Sequence, residues 1–157
     1  MRIGCKMQTK PPSLEARALK FLSRREYPRA ELLAKLKPFA TNDAELDNLL
    51  DRLQSKGFIS DYRYVEAWLH ARGKRFGSRR IKQELQRKGV CNEVIEHSLE
   101  RSDQEELKLA QSVLKKKFDH PSQDIKERAK RARFLLSRGF SHEVIRKVIA
   151  GNDDECA

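Results

Sequence analysis

The densest group of side chains that could take part in binding chemistry is cationic. Between Arg72 and Lys88 the chain has eight lysines and arginines and a single acid, Glu84, within seventeen residues. Guanidinium and ammonium groups at this density bind phosphate or carboxylate, so the stretch predicts contact with nucleic acid or with an acidic protein surface. The candidates in this cluster are Arg72, Lys74, Arg75, Arg79, Arg80, Lys82, Arg87 and Lys88.

A second basic cluster has helical spacing. Lys126, Lys130 and Arg133 follow one another at i, i+4 and i+7, which places them on one face of a helix. In the first cluster, Ile81 and Leu85 take the inward positions and leave the charges facing outward. The two clusters therefore predict a basic surface on equivalent helices, and the net charge of +11 agrees with a phosphate-rich or carboxylate-rich partner.

Other kinds of chemistry lack a pattern in the sequence. It contains no GxxxxGK[ST], GxGxxG or GxSxG motif, and its four histidines and three cysteines are scattered without metal-ligand spacing. We therefore expect a protein that is not an enzyme and has no cofactor or metal. The scattered cysteines favour reduced, cytosolic thiols, so we expect a cytoplasmic protein. No apolar run approaches the roughly 18 residues that span a bilayer, so we expect no membrane partner.

The elements that must position these charges are helices. Apolar residues recur at helical spacing along most of the chain, as at Leu14, Ala18 and Phe21, and no segment alternates with strand period. Ser13, Asn42 and Ser78 are predicted N-caps of three of these helices. The pattern predicts an all-α fold.

A short segment occurs twice, fifty residues apart, as "RKGVCNEVI" and "SRGFSHEVI". Gly89 and Gly139 stand where a helix ends with positive φ, and Val90 and Phe140 supply the apolar contact of such an end. The Glu-Val-Ile that follows opens the next helix. The segment is thus a helix–turn–helix corner used twice, and a divergent first copy has Ala40 in place of the glycine.

These corners predict an elongated, curved array of three tandem three-helix repeats. One repeat of about 50 residues is too small to bury its own core well, so we expect neighbours to stack and cover each other's apolar faces. We expect the protein to be a monomer. The predicted boundaries are a flexible basic N-terminal tail at 1–12, repeats at 13–60, 61–102 and 103–150, and an acidic C-terminal tail at 151–157.

The stretch "DYRYVEAWLHARGKRFGSRRIKQELQRKG" resembles the signature of the RecX family, bacterial regulators of the RecA recombinase. The flanks "ALKFLSRREYPRAELLAKL" and "RARFLLSRGFSHEVI" resemble the opening and closing units of the same family, so the resemblance covers roughly residues 13 to 150. The matching positions of the signature are Asp61, Tyr64, Ala67, Trp68, Arg72, Gly77, Ile81, Glu84, Leu85, Lys88 and Gly89.

The resemblance implies three tandem three-helix repeats that bind the RecA protein and the RecA–DNA filament, within the filament's helical groove. It further implies inhibition of the recombinase, ATPase and coprotease activities of RecA in DNA repair and the SOS response, by blocking filament extension or promoting disassembly. Weak, sequence-independent DNA binding is a further expectation.

Two other functions remain open from the residues. The corners resemble the helix-turn-helix of sequence-specific transcription regulators, which would read bases from one helix. A stacked helical array can also serve as a scaffold for acidic peptides. The aromatic residues Tyr62, Tyr64 and Phe76 near the first basic cluster could belong to the core or could stack on bases.

Overall fold

A computed structural model describes residues 10–101, 103–121 and 124–154. Within these ranges the chain forms nine α-helices, one short 3₁₀ helix at Lys37–Phe39, and no strand, which confirms the all-α prediction. The helices are α1 (Leu14–Leu22), α2 (Arg29–Leu36), α3 (Asp43–Ser55), α4 (Asp61–Arg72), α5 (Ser78–Arg87), α6 (Asn92–Ser98), α7 (Asp103–Lys117), α8 (Ile125–Ser137) and α9 (His142–Asp154).

The chain divides into two compact units at Ser60 and Asp61. The first unit contains α1–α3. Two of its helices begin at predicted caps, because Ser13 Oγ accepts a hydrogen bond from Ala16 N at 3.1 Å and Asn42 Oδ1 accepts one from Glu45 N at 2.7 Å. Its core consists mainly of leucines from α2 and α3.

The second unit contains α4–α9 and has two separate apolar clusters, one for each group of three helices. Ile81, Leu85 and Ile95 are fully buried among α4–α6. Leu135 and Phe140 are fully buried among α7–α9. Each group of three helices thus has its own apolar core.

The predicted glycine corners are confirmed. Gly89 and Gly139 have φ values of 79° and 87°. The backbone N–H of the residue after each glycine reaches back to the preceding helix, from Val90 to Leu85 O at 3.2 Å and from Phe140 to Leu135 O at 3.3 Å. This is the 6→1 hydrogen bond of a Schellman cap, and it fixes the turn into the following helix.

The loop that contains Gly77 and the corner that contains Gly139 meet where the group α4–α6 joins the group α7–α9. The N–H of Gly77 donates to Arg138 O at 2.8 Å. A Cβ atom at Gly77 would lie 2.6 Å from the carbonyl carbon of Gly139, and one at Gly139 would lie 2.6 Å from the backbone nitrogen of Arg80. The two backbones are therefore in direct contact. The sequence predicts contact between repeats through their apolar faces, and it does not predict this junction of two loops.

Other local features differ from the sequence predictions. The N-cap of α5 is Gly77, and Ser78 is the first helical residue. At the other end of the unit, α9 continues to Asp154, so residues 151–154 of the predicted C-terminal tail are helical. Residues 1–9 and 155–157 of the two predicted tails lie outside the described residues. None of the described helices is long and apolar enough to cross a membrane.

We predict that Leu85→Ala lowers the free energy of unfolding by roughly 2–5 kcal/mol, because a fully buried leucine loses its contacts and leaves a cavity. Urea denaturation followed by circular dichroism measures this change. Gln83→Ala, at an exposed position of the same helix, is the control and should change stability by less than about 0.5 kcal/mol. Equal effects of the two substitutions would contradict the assigned core.

We also predict different costs for the same substitution at two glycines. Gly57 and Gly139 both have positive φ, at 80° and 87°. A Cβ atom at Gly57 meets nothing within 4 Å, whereas one at Gly139 collides with Arg80. Gly57→Ala should therefore cost about 1–2 kcal/mol from backbone strain alone. Gly139→Ala should cost about 1–3 kcal/mol more through overpacking. Thermal unfolding compares the two, and equal losses would exclude the close junction.

Candidate functional site

The candidate basic residues nearest the junction are held by internal contacts. Arg72 Nη2 and Arg80 Nε both lie close to Glu84 Oε1, at 2.9 and 3.1 Å. Arg80 Nη1 also donates to the carbonyl oxygen of Ser137 at 3.0 Å, which links α5 to the end of α8. A half-buried carboxylate shared by two guanidinium groups neutralises part of the local charge. Arg72 and Arg80 therefore help to hold α4, α5 and the end of α8 in place.

Three guanidinium groups surround the ring of Phe76. The guanidinium carbons of Arg72, Arg80 and Arg138 lie 4.6, 4.3 and 5.1 Å from its centroid, which are cation–π distances. Arg138 was not among the sequence candidates, although its place directly before Gly139 in the repeated corner was a visible signal. The aromatic ring thus joins α4, α5 and the corner that follows α8.

A second half-buried acid fixes the start of α5. Glu106 of α7 is 12% exposed and accepts hydrogen bonds from both the backbone nitrogen and Oγ of Ser78, each at 2.9 Å. Arg101 lies 3.6 Å from the same carboxylate and donates to Gly73 O at 3.1 Å. A carboxylate at a helix N-terminus accepts hydrogen bonds from N–H groups that have no partner within the helix. Its negative charge also interacts favourably with the positive end of the helix dipole. No local motif identifies Glu106, because it lies 28 residues from Ser78.

Two further candidates of the first cluster have contacts within the protein. Lys82 Nζ lies 2.9 Å from Glu96 Oε1 and links α5 to α6. Lys88 is half-buried and also interacts with other residues of the chain. The charge of Lys82 is therefore at least partly used in joining α5 to α6.

The remaining candidates of the first cluster are exposed. Within the described part of the chain, the side chains of four of them form no ion pair. On α5 itself, Arg79 and Arg87 lie eight residues apart with Gln83 between them, so the three share one exposed stripe. The four residues are Lys74, Arg75, Arg79 and Arg87.

The second cluster forms an exposed stripe on α8. Lys126 and Arg133 form no ion pair within the residues that the structure describes, and Lys130 lies 3.6 Å from Glu127 on the same helix. Arg131, on the other side of α8, is only 6% exposed and donates to the carbonyl oxygen of His120. The exposed charges of α8 are therefore confined to one side.

A groove of about 520 Å³ lies between α5 and the end of α8. Arg79, Arg80 and Arg87 line one side, and Leu136 and Ser137 line the other. Ser137 is four residues after Arg133 and continues the stripe of Lys126 and Lys130. The basic stripe of α5 therefore lines this groove, whereas the stripe of α8 ends at Arg133, one helical turn before the groove wall.

The aromatic residues do not form an exposed stack beside this groove. Tyr64 is buried, and Phe76 is half-buried among guanidinium groups. Tyr62 is exposed, but its ring packs edge-on against His97 with centroids 6.1 Å apart. The site offers cations and hydrogen-bond donors more than rings on which bases could stack.

No group of three or more His, Cys, Asp or Glu side chains in the described ranges could hold a metal ion. Cys91 is an exposed free thiol, whereas Cys5 and Cys156 lie outside the described residues.

Comparison with protein families identifies both groups of helices in the second unit. Residues 60–99 match the model described as "RecX, second three-helix domain", and residues 103–149 match "RecX, third three-helix domain".

Solved structures share the fold. The crystal structure of RecX from Lactobacillus salivarius has a TM-score of 0.77 with this chain at 23% identity, covering 89% of this chain and 94% of that one. A second crystal structure, of a regulatory protein RecX, has a TM-score of 0.73 at 23% identity and covers 86% of this chain and 70% of the other.

Curated relatives are more similar in sequence. The regulatory protein RecX of Leptothrix cholodnii is 44% identical over 143 residues, which are 91% of each chain. That of Chromobacterium violaceum is 42% identical over 149 residues, or 95% of this chain and 97% of the relative. With family models covering more than half of its length and relatives at this identity along nearly all of it, the chain belongs to the RecX family of regulatory proteins.

Proposed function

We propose that this protein binds RecA and its filament on DNA and thereby inhibits the recombinase, ATPase and coprotease activities of RecA during DNA repair and the SOS response. Family membership supports this function, and the exposed basic groove of the second unit supports a binding role. The protein acts in the cytoplasm as a monomeric, non-enzymatic regulator, so the ATP hydrolysis that it affects is that of RecA.

The observation that carries the proposal is an exposed groove lined by basic residues of α5, with the basic stripe of α8 ending close to its wall. Arg79 and Arg87 line the groove, and Arg133, the last residue of the α8 stripe, lies one helical turn before Ser137 on the opposite wall. Like charges held together in one compact unit repel each other unless an anionic partner neutralises them. A partner with carboxylate or phosphate groups relieves this repulsion, which favours fast and oriented association.

The basic residues divide into two roles in this proposal. The exposed residues provide partner or phosphate contacts, whereas the paired residues hold the helices that present them. We assign contact to Lys74, Arg75, Arg79, Arg87, Lys126, Lys130 and Arg133, and positioning to Arg72, Arg80, Lys82 and Lys88.

Sequence-specific DNA reading is less well supported. The helix after the second corner, α9, exposes Glu143 in its first turn, where a recognition helix contacts bases. A hydrogen bond from Lys147 lowers the pKa of Glu143, so this carboxylate is ionised at neutral pH. A negative charge there repels DNA phosphates and pairs with a cation that DNA would otherwise attract.

We predict that Arg79→Glu combined with Arg133→Glu abolishes inhibition of the DNA-dependent ATPase of RecA, because the partner's anions then meet like charges. ATP hydrolysis by RecA on single-stranded DNA, measured over a range of inhibitor concentrations, tests this. Helical circular dichroism should be unchanged, since both residues are exposed and the cost to stability is on the order of 0.5 kcal/mol.

The matched control is Lys108→Glu combined with Arg146→Glu, which changes net charge equally at exposed positions of α7 and α9 outside the groove. It should retain at least about half of the inhibition, since long-range charge effects are screened over about 10 Å. Full inhibition by the α5–α8 variant, or equal loss in both variants, would refute the assigned surface.

A further inference from the structure

The exposed side of α8 also carries a line of apolar residues. Ile125 is 80% exposed and Leu136 is 44% exposed, and Ala129 between them is exposed as well. The spacing of i, i+4 and i+11 places all three within a narrow arc of the helix. Buried Leu135 lies about 100° around the helix from Leu136 and packs in the core of the unit, whereas the apolar line stays outside that core.

The apolar line and the basic stripe lie side by side. At 100° per residue, Arg133 and Lys126 follow directly around the helix from Ala129, and Lys130 lies next to them. Glu127 lies just beyond Lys130 around the helix, where it is half-buried and pairs with Lys130 and Arg131. Between Ile125 and Lys130 around the helix, the exposed arc contains apolar and cationic groups, and Glu127 borders it at the Lys130 edge. We call this arc, with the groove at its end, the α8 face.

The composition of the α8 face distinguishes between two kinds of anionic partner. DNA phosphates would use the cations, but they gain nothing from an exposed isoleucine and leucine. A protein segment with both carboxylates and apolar side chains would use the whole face, as an amphipathic helix does when it lies in a groove. Apolar anchors surrounded by charged residues are also the usual composition of a protein–protein interface.

The groove provides a place for such an anchor. Leu136 lies on its wall opposite Arg79 and Arg87, and Gly139 and Phe140 complete that side. Its volume of about 520 Å³ is in the range of clefts that hold a few side chains or a small ligand. An apolar side chain entering beside Leu136 would bring neighbouring carboxylates within reach of both arginines.

We propose that the α8 face docks an acidic protein segment whose apolar side chains pack on Ile125 and Leu136 while its carboxylates pair with the exposed cations of α5 and α8. The inference rests on the proposed function, since RecA is the protein that supplies the segment. The surface is therefore a contact for protein, and DNA phosphates do not need its apolar line.

The test uses the full chain with Ile125→Ala and Leu136→Ala combined. We measure the Kd for RecA without DNA and the Kd for a fluorescent thymidine oligonucleotide. The double variant should bind RecA at least about tenfold more weakly, equivalent to about 1.4 kcal/mol, and should bind the oligonucleotide within about twofold of wild type. Leu19→Ala, at a leucine that is 37% exposed on α1, is the matched control and should retain wild-type RecA affinity.

The outcomes separate the inference from the proposed function. If wild type and double variant bind RecA equally, the apolar contact is overturned while RecA binding stands. If basic-residue variants lose the oligonucleotide and lose RecA only when DNA is present, the face is a phosphate surface and the inference fails. If wild type does not bind RecA at all, the proposed function fails and the inference fails with it. Unchanged circular dichroism and melting temperature establish that each variant is folded.

Discussion

The close contact of Gly77 with Gly139 is the constraint on which the second unit depends. A side chain on either residue would collide with the facing backbone, so the loop before α5 and the corner after α8 can approach only as glycines. The hydrogen bond from Gly77 N to Arg138 O fixes the register of the two loops. Interactions between backbones allow little adjustment, and α5 and α8 are therefore held in one orientation.

The charge distribution follows from that contact. Residues that lie beside the junction face partly buried surroundings, where an unpaired cation would be costly. Glu84 and Glu106 supply the compensating carboxylates, and Phe76 adds its ring face. Side chains that point into solvent carry no such cost, and the cations on those faces stay exposed. One dense basic sequence thus contains both internally paired and exposed cations, and the facing groups around each side chain decide which it is.

The local features of the fold were predictable from sequence, and the long-range ones were not. Helical spacing and the two glycines that end α5 and α8 can be identified from a few neighbouring residues alone. The pairing of Arg80 with Ser137 joins residues 57 positions apart, and nothing local indicates it. For the same reason the sequence predicts Ser78 as a cap, although its hydroxyl donates to Glu106 in another group of helices.

The sequence predicts which basic residues belong to the candidate site, but it does not predict which of them are paired within the protein and which are exposed. Spacing alone gave the stripe of Lys126, Lys130 and Arg133, because one helix determines it. Glu84 lies four residues after Arg80 on the same face of α5, so this ion pair is local, whereas the carbonyl oxygen of Ser137 that also binds Arg80 comes from a distant part of the chain. Leu136 also had helical spacing, but its neighbour Leu135 has a similar pattern. Only the packed structure shows which of the two leucines is exposed.

The most direct test of the account is site-specific photocrosslinking from the α8 face. A benzoylphenylalanine in place of Ala129, which is exposed between Ile125 and Lys130, samples the proposed contact without removing a charge. Mass spectrometry of the product with RecA filaments should identify a RecA peptide that contains both acidic and apolar residues. Crosslinks to DNA alone, or none from Ala129 while a probe at Leu19 reacts with RecA, would contradict the central claim that this face binds the partner protein.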